Sequence, residues 1–336
     1  MILVTGGTGL LGAHLLLRLL QQGHQVRAIV REGTSPEKVM EVWKHYLTDG
    51  KTLLQKVDWF TADIANKAEL SDAFQGVEYV YHCAALISFD PKDKPLLKAV
   101  NITGTRNVVD LSLECGIKKL LHVSSIATVG RNPEHTESTE EDKWPVKARS
   151  PYTSTKTDAE MEVWRGVHEG LKAVIVNPSV ILGPGMWQQS SSRFFDTIYH
   201  GLRYYTKGAT GFVDAEDVVT AMIALMEGEF DGERFILNGS NLTYRDFFQK
   251  VAMALGVKAP SAKAGQTLTS LAWRVDWLRS RITGKPPMIT RHSASSSHAK
   301  RAYSSEKYCN ATGNSFRPVD DSISRIAELY LKEVGD

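Results

Sequence analysis

The chain opens with a short apolar segment that runs directly into a glycine-rich turn. Residues 2–5 are apolar or β-branched, and Gly6, Gly9 and Gly12 follow them with GxxGxxG spacing. Glycine permits a tight turn and a close backbone approach to a phosphate, while the amides at a helix N-terminus face the anion. A strand, a glycine turn and a helix in this order predict a dinucleotide-binding turn.

The first 180 residues continue as alternating strands and helices. The candidate strands are residues 2–5, Val26 to Val30, Val57 to Thr61, Val77 to His82, Lys119 to Ser124 and Ala173 to Asn177. They read as continuous apolar runs, which is typical of a parallel sheet buried on both faces. The pattern predicts the α/β class, with a Rossmann-type doubly wound parallel sheet.

This alternation weakens after Pro178. Further helices are expected at Phe194 to Gly201, Ala215 to Glu227, Tyr244 to Leu255 and Asp320 to Val334, with a strand at 235–237. We therefore predict a dinucleotide-binding domain over residues 1–180, with 212–238 returning to it. Residues 181–211 and 239–336 are expected to form a smaller C-terminal substrate-binding lobe.

Composition excludes several other classes of protein. The 336 residues contain 40 Lys and Arg against 38 Asp and Glu, so a uniformly basic nucleic-acid-binding protein is disfavoured. Cys83, Cys115 and Cys309 are too scattered for a disulfide framework or a clustered metal site, so no metal is predicted. No apolar run approaches the ~20 residues of a membrane-spanning helix, and no signal peptide pattern is present. We expect a cytoplasmic protein.

The end of the second strand bears on the choice between NADP and NAD. An acidic side chain there accepts hydrogen bonds from the adenosine ribose, whereas a basic one pairs with a 2′-phosphate. Val30 stands at the acidic position and Arg31 follows, with a guanidinium fork that suits a phosphate. NADP(H) is therefore preferred, although Glu32 leaves NAD(H) open and a solvated surface Arg31 is the alternative interpretation.

A tyrosine and a lysine share one face of a predicted helix. Ser150 and Pro151 are a good helix start, and Tyr152 and Lys156 follow at i and i+4. A free tyrosine has a pKa of ~10, which an adjacent ammonium is expected to lower. Such a tyrosine can exchange a proton with a carbonyl or alcohol oxygen while hydride moves to or from nicotinamide.

Together these motifs resemble the extended short-chain dehydrogenases/reductases, also described as the NAD-dependent epimerase/dehydratase family. The resemblance covers roughly the whole chain and is specific through residue 180. Its matching segments are 5–12, Asp63-Ile64, 82–85, 101–105, Ser124-Ser125, 152–156, 177–179 and 183–185.

The resemblance implies a role for each matching residue. Tyr152 would be the general acid/base, Lys156 would bind the nicotinamide ribose, and Ser125, with Ser124 as the alternative and Thr128 assisting, would hold the substrate oxygen. His82 is expected to pack in the core, and Asp63 has a helix cap as its alternative role. Besides Tyr152 and Lys156, the implied cofactor contacts are Gly6, Thr8, Gly9, Leu10, Leu11, Gly12, Arg31, Asp63, Ile64, Ala84, Ala85, Asn101, Pro178 and Ser179.

Within this family the sequence favours a reductase. Sugar-nucleotide epimerases and dehydratases usually carry an arginine where this chain has Thr210-Gly211. The motifs most resemble the dihydroflavonol-4-reductase and 3β-hydroxysteroid dehydrogenase branch, which implies NADP(H)-dependent interconversion of a ketone or aldehyde with an alcohol. Two alternatives stay open: an NAD(P)-dependent nucleotide-sugar epimerase/dehydratase, with Arg193 supplying the charge, and a non-catalytic NADP-binding regulator.

A basic segment with an apolar helical pattern lies near the C-terminus. Residues 258–307 hold ten Lys or Arg against Asp276 and Glu306. Within them Leu268, Leu271, Ala272, Val275 and Leu278 recur at helical spacing beside Trp273 and Trp277. Such a helix packs on its own lobe, covers the substrate pocket, contacts another subunit or lies on an anionic membrane.

Weak peripheral membrane contact through 258–307 is one hypothesis for this segment, beside packing of its helix on the lobe core. By analogy with the family, a homodimer paired through helices at 101–113 and 152–163 is a second hypothesis about partners. Met186, Trp187, Phe194 and Phe195 are assigned either to a pocket or to the core.

Overall fold

The computed structural model describes residues 1–132, 134–145, 150–283 and 290–335. The strands are β1 Ile2–Thr5, β2 Val26–Val30, β3 Asp58–Thr61, β4 Tyr79–His82, β5 Lys119–Val123, β6 Ala173–Pro178, β7 Val180–Leu182, β8 Tyr204–Tyr205, β9 Ala209–Asp214, β10 Glu233–Leu237, β11 Ser240–Thr243 and β12 Ala262–Lys263. The helices are α1 Leu10–Gln21, α2 Met40–Trp43, α3 Lys51–Leu54, α4 Lys67–Ala73, α5 Lys94–Leu97, α6 Gly104–Glu114, α7 Pro151–His168, α8 Arg193–Tyr199, α9 Ala215–Glu227, α10 Tyr244–Ala254, α11 Gln266–Thr283, α12 Arg291–Ser296, α13 Glu306–Thr312 and α14 Val319–Gly335.

Seven strands form the main sheet in the order β10-β6-β5-β4-β1-β2-β3, and every neighbouring pair is parallel. The predicted Rossmann-type fold class is confirmed. The strand order reverses at β1, which has β2 on one side and β4 on the other. The connections after β1 and β4 therefore diverge and leave a crevice at the carboxyl ends of these strands, where such sheets bind ligands.

Two core layers, one on each face of the main sheet, explain why its strands are continuous apolar runs. Adjacent residues of one strand point to opposite faces, so Val4 packs in one layer and Leu3 in the other. Helices α1 and α9 contribute to the first layer, while α4, α6 and α7 contribute to the second. Because both faces of the sheet are covered, its strands are apolar at consecutive positions rather than at alternate ones.

A smaller lobe is built around a second sheet, in the order β11-β9-β7. Its core contains Phe195, Phe212, Phe247 and Tyr330, and the rings of Phe212 and Phe247 stack with centroids 4.1 Å apart. From the later part of the chain, β10 pairs in the main sheet and α9 packs in one of its core layers, whereas β9 pairs in the small sheet. The domain boundaries given above stay a prediction.

Two features are absent from the described residues. None of their helices combines the length and apolar character needed to cross a bilayer. They also contain no group of three or more His, Cys, Asp and Glu side chains arranged to hold a metal ion. Lys285, counted above in the basic segment, lies outside the described residues.

Candidate active site

The glycine turn is as tight as its spacing implies. Gly6 has a φ of +72°, and a Cβ added there would lie 2.6 Å from the amide nitrogen of Ala84. A Cβ on Gly12 would lie 2.1 Å from the carbonyl oxygen of Gly6. Neither position accepts a side chain without movement of the backbone, so both glycines are required by the fold of the turn itself.

Gly9 differs from these two glycines. It has an ordinary φ of −85°, and the only atom within 4 Å of an added Cβ is the Gly6 carbonyl oxygen at 3.4 Å. It is the N-cap of α1 and supplies no capping side chain, so the first amides of this twelve-residue helix have no side-chain cap from Gly9. The exposed backbone at Gly9 and these amides fit a bound pyrophosphate.

The loop after β4 is fastened to this turn. The Ala84 amide donates to Thr5 Oγ1 at 3.2 Å, and Thr5 Oγ1 also lies 2.7 Å from His82 Nδ1. The other ring nitrogen of His82 lies 2.9 Å from Thr105 Oγ1. Burial lowers the pKa of His82 to about 3, so the ring is neutral near pH 7. His82 is a buried bracing residue between β1, β4 and α6.

Ser125 and Tyr152 meet at the carboxyl end of β5. Ser150 caps α7 by accepting a 3.0 Å hydrogen bond from the Thr153 amide, which places Tyr152 in the first turn. Ser125 caps a short 3₁₀ segment after β5, where its hydroxyl accepts a 3.1 Å hydrogen bond from the Ala127 amide. Burial raises the pKa of Tyr152, and the nearby Ser125 hydroxyl opposes the rise. The lowering expected from Lys156 is not found, so the phenol is protonated near pH 7.

Lys156 lies one turn further along α7 and is 2% exposed. Its Nζ donates a 2.8 Å hydrogen bond to the carbonyl oxygen of Val123, the last residue of β5. Burial lowers the pKa of Lys156 to about 8, against the opposing charge of Glu160. Near pH 7 the Lys156 side chain is therefore a buried cation, with a pKa of about 8.

Glu160 is a site residue that the sequence analysis missed. Its fully buried carboxylate accepts hydrogen bonds from Ser124 at 2.6 Å and Thr128 at 2.7 Å. The remaining donors are Asn177 Nδ2 at 3.0 Å, Trp144 Nε1 at 3.1 Å and Arg234 at 3.2 Å. Burial alone would raise the pKa of Glu160, but the hydrogen bonds outweigh it and hold that pKa below its ordinary value.

This network distinguishes the two candidate serines. Ser124 and Thr128 point their hydroxyls at Glu160, whereas Ser125 points toward Tyr152. A signal for Glu160 existed in the sequence, because it follows Tyr152 and Lys156 at i+8 and i+4 on the same helix face.

The other residues implied as cofactor contacts lie at the same edge of the sheet and differ in exposure and in hydrogen-bond partners. Arg31 is exposed directly after β2. Asp63 is exposed after β3 and accepts a 2.9 Å hydrogen bond from the Ala65 amide, while Asn66 is the N-cap of α4. Asp63 is therefore not the helix cap. Ile64 is buried in the core, so its side chain faces away from the crevice.

The Asn101 side-chain amide is already hydrogen-bonded to other residues of the protein. Asn101 lies in a π-helical turn between α5 and α6, and its amide bonds both backbone groups of Leu86, at 2.8 and 3.1 Å, and Thr155 Oγ1 at 3.1 Å. Its side chain thus braces the loop after β4 against α7. Ala85 in that loop is exposed, Pro178 ends β6, and the buried Ser179 hydroxyl has no hydrogen-bond partner.

A cavity of about 760 Å³ lies between the loop after β4, the start of α7 and helices α11 and α12. Its aromatic lining comes from Phe89, Trp273, Trp277 and His292, with Pro151 beside Tyr152. The Phe89 ring meets Tyr152 edge-on at 5.8 Å and stacks on His292 at 5.2 Å. Met186, Trp187 and Phe195, which follow Gly185, are buried in the core and do not line this cavity.

The parallel sheet, the glycine turn and the Ser125–Tyr152–Lys156 group at one sheet edge define the class of extended short-chain dehydrogenases/reductases. The chain belongs to the NAD-dependent epimerase/dehydratase family, whose model matches residues 2–237. Members of this family are enzymes.

Individual relatives cover most of the chain. Sterol demethylase protein B of Methylococcus capsulatus is 31% identical over 77% of this chain and 75% of its own length. A putative dihydroflavonol 4-reductase of Synechocystis is 30% identical over 76% of this chain and 73% of its own. The crystal structure of gox2253 has a TM-score of 0.81 at 27% identity, over 100% of this chain and 98% of that one.

Proposed function

We propose that this protein is an NADP(H)-dependent oxidoreductase that interconverts a ketone or aldehyde with an alcohol by hydride transfer, with Tyr152 as the general acid/base. The observation that carries the proposal is the proximity of the Ser125 hydroxyl to the Tyr152 phenol, one helical turn from the buried Lys156 ammonium. Two hydroxyl donors then converge on one oxygen position, which is the arrangement that carbonyl reduction requires.

The order of the strands supports the placement of a dinucleotide along this edge. Ser125, Ala84, the glycine turn, Arg31 and Asp63 follow β5, β4, β1, β2 and β3, which are consecutive neighbours in the sheet. Neighbouring strands lie ~4.8 Å apart, so the residues from Ser125 to Arg31 span ~14 Å. The nicotinamide end belongs beside Ser125 and Tyr152, and the adenosine end beside Arg31.

The chain's own residues have defined tasks in carbonyl reduction. When bound, the nicotinamide supplies or accepts the hydride. In reduction, Ser125 and the Tyr152 phenol donate to the carbonyl oxygen, and that oxygen takes the phenolic proton as its charge develops. The raised pKa of Tyr152 keeps this proton in place near pH 7. We assign the buried Lys156 ammonium, one turn further along α7, the task of balancing the charge of the phenolate that remains.

The preference for NADP(H) rests on Arg31. Its exposed guanidinium lies directly after β2, at the level of the adenosine ribose, where a 2′-phosphate would pair with it. Arg31→Ser should weaken NADPH binding about tenfold or more and leave NADH binding nearly unchanged, as measured by fluorescence titration. An equal loss for both cofactors would contradict the NADP assignment while leaving the hydride-transfer proposal intact.

The cavity favours a substrate with a bulky apolar body. Four aromatic side chains, Phe89, Trp273, Trp277 and His292, form much of its lining, with the charged Lys92 and Arg291 beside them. Tyr152 contacts its Phe89 end. The names of the two relatives above refer to a sterol and a dihydroflavonol, both multi-ring compounds. A nucleotide sugar is less suited, because Thr210 and Gly211 of β9 stand where a diphosphate-binding arginine is expected.

The test is a panel of bulky aryl and alicyclic ketones and aldehydes with NADPH. Tyr152→Phe should abolish turnover and leave NADPH affinity within about twofold, because only the phenolic proton is lost. Ser125→Ala should lower kcat about a hundredfold. Turnover retained by Tyr152→Phe would contradict the mechanism, and tight NADPH binding without turnover of any compound would favour the regulator.

A further inference from the structure

Helix α11 has two faces of different character. On one face Trp273, Trp277 and Ser280 line the cavity, and the helix packs on α12. On the other face four aliphatic side chains form what we call the outer stripe: Leu268, Leu271, Val275 and Leu278. Their exposed fractions are 41%, 59%, 61% and 54%, so the chain covers less than two thirds of any of them.

The outer stripe reverses the usual orientation of an amphipathic helix. Its members are spaced i, i+3, i+7 and i+10, which places them along one side of the helix. In α10 and α14 the apolar residues at such spacing are buried against each other, including Phe247, Val251, Ile323 and Ile326. In α11 the stripe faces away from the cavity and from the lobe core, so another surface must cover it.

The charges around the stripe select the kind of surface. Arg274 is exposed next to Val275, and Arg281 is exposed on the same helix, where it also lines the cavity. Asp276, the only acid of α11, lies 2.7 Å from Arg279. The surrounding residues 258–307 carry a large excess of Lys and Arg. A second copy of the chain docked stripe to stripe would bring these like charges together, whereas an anionic surface would be attracted to them.

We propose that the outer stripe docks α11 on an anionic lipid membrane. The helix lies in the plane of the interface, with its aliphatic side chains among the acyl chains and its arginines among the headgroups. The shape of the surface supports a bilayer as the partner, because a single convex helix with four separate aliphatic side chains needs no complementary groove. The inference is independent of the proposed reaction.

Docking would also place the cavity close to the lipid. Trp273 and Trp277 lie on the far side of the same helix, and a helix with its side chains is ~10 Å wide. An apolar substrate dissolved in the membrane would then have a short path to Tyr152. This consequence follows from the geometry of α11 and does not depend on the identity of the substrate.

The experiment is co-sedimentation of the full chain with phosphatidylcholine vesicles that contain or lack phosphatidylglycerol. We expect binding to the anionic vesicles only, with loss of binding as sodium chloride is raised. Val275→Glu should weaken this binding at least tenfold, because it places a charge in the centre of the stripe. Arg274→Gln should weaken it about fivefold.

Met253→Glu is the matched control. Met253 is 80% exposed on α10, so the substitution adds the same charge at an apolar surface position outside the stripe. It should lower vesicle binding less than threefold, and circular dichroism should show that both glutamate variants are folded.

Three results would overturn the proposal: no binding to anionic vesicles at low salt, equal loss of binding in Val275→Glu and Met253→Glu, or a dimer that Val275→Glu dissociates in sedimentation velocity. The last result would assign the stripe to a second copy of the chain.

Discussion

The Ser124 hydroxyl donates a 2.6 Å hydrogen bond to the buried carboxylate of Glu160, and the next residue, Ser125, faces Tyr152 instead. Two adjacent serines therefore have different partners. Glu160 also binds Thr128 and Asn177, and Asn177 Nδ2 donates to the Ser125 carbonyl oxygen at 3.2 Å. The carboxylate thus fixes both ends of the short segment that carries Ser125.

We expect Glu160→Gln to destabilise the protein by about 3 kcal/mol, because an amide cannot accept all of the donors that surround this buried carboxylate. As a positioning residue, Glu160 should also affect catalysis: kcat should fall at least tenfold while NADPH affinity changes little. Urea unfolding and single-turnover kinetics measure the two effects.

Glu169→Gln, at the C-cap of the same helix, is its control. Glu169 pairs with Arg165 at 2.7 Å and its side chain is 48% exposed, so its loss should cost less than about 1 kcal/mol. If Glu160→Gln lowered stability but left kcat unchanged, the positioning role would be wrong and Glu160 would be purely structural.

Lys156 should impose a pH dependence on stability. Its pKa is about 8 in the folded protein and ~10.4 in an unfolded chain, so the unfolded state binds more protons between these values. The free energy of unfolding therefore rises with pH across this window, and below pH 8 the full cost of the buried cation, about 3 kcal/mol, is present.

Lys156→Met removes this cost but leaves the Val123 carbonyl without its donor, which costs about 1–2 kcal/mol. We expect the variant to be more stable than the wild type by about 1 kcal/mol at pH 7 and less stable above pH ~10.5, where the lysine is neutral in both states. Urea unfolding at the two pH values tests this. Lys172→Met, at a side chain that is 68% exposed, should show no such crossover.

Gly9→Ala should separate folding from cofactor binding. The added Cβ meets only the Gly6 carbonyl oxygen at 3.4 Å, and φ is −85°, so the melting temperature should change by less than about 3 °C. Affinity for NADPH should fall at least tenfold, because the Cβ would stand between the backbone and the pyrophosphate.

Alanine substitutions at two further glycines are the controls for Gly9→Ala. Gly12→Ala should unfold or grossly destabilise the turn, given the 2.1 Å approach of its Cβ to the Gly6 carbonyl oxygen. Gly265→Ala, where no atom lies within 4 Å of the added Cβ, should change neither property. Unchanged NADPH affinity in Gly9→Ala would show that the pyrophosphate binds elsewhere.

Phe89→Ala should enlarge the substrate end of the cavity. Phe89 packs between Tyr152 and His292, so its removal eliminates one aromatic wall at the reacting end. For a bulky ketone we expect KM to rise about tenfold with a smaller change in kcat, and NADPH affinity to stay constant. A proportionally greater loss of kcat than of substrate affinity would instead indicate that Phe89 orients Tyr152.

The sequence revealed the features that depend on neighbouring residues. The strands of the main sheet, the glycine turn and the start of α7 at Ser150 were predicted to within about two residues, because apolar periodicity, glycine and capping are local signals. The Rossmann-type class followed from their alternation. The pair of Tyr152 and Lys156 on one helix face was equally local.

Features that depend on distant contacts were missed. Glu160 gathers donors from the segment after β5, from β6, from β10 and from the loop before α7. Phe89 meets His292 across two hundred residues of chain. The partner of β9 was also unpredictable, since Phe212 pairs with Val180 and Ser240 rather than with the main sheet. Chain patterns show which residues are apolar but do not show which elements meet.

The position of β10 has a consequence for how the chain is made. It covers the outer edge of β6, whose six residues are all buried, and it arrives only after the small lobe has begun. During synthesis the ribosome must therefore release Leu237 before the sheet can close. A fragment that ends earlier leaves an apolar edge strand open to other nascent chains, so truncation between residues 178 and 237 should yield aggregates rather than a minimal nucleotide-binding domain.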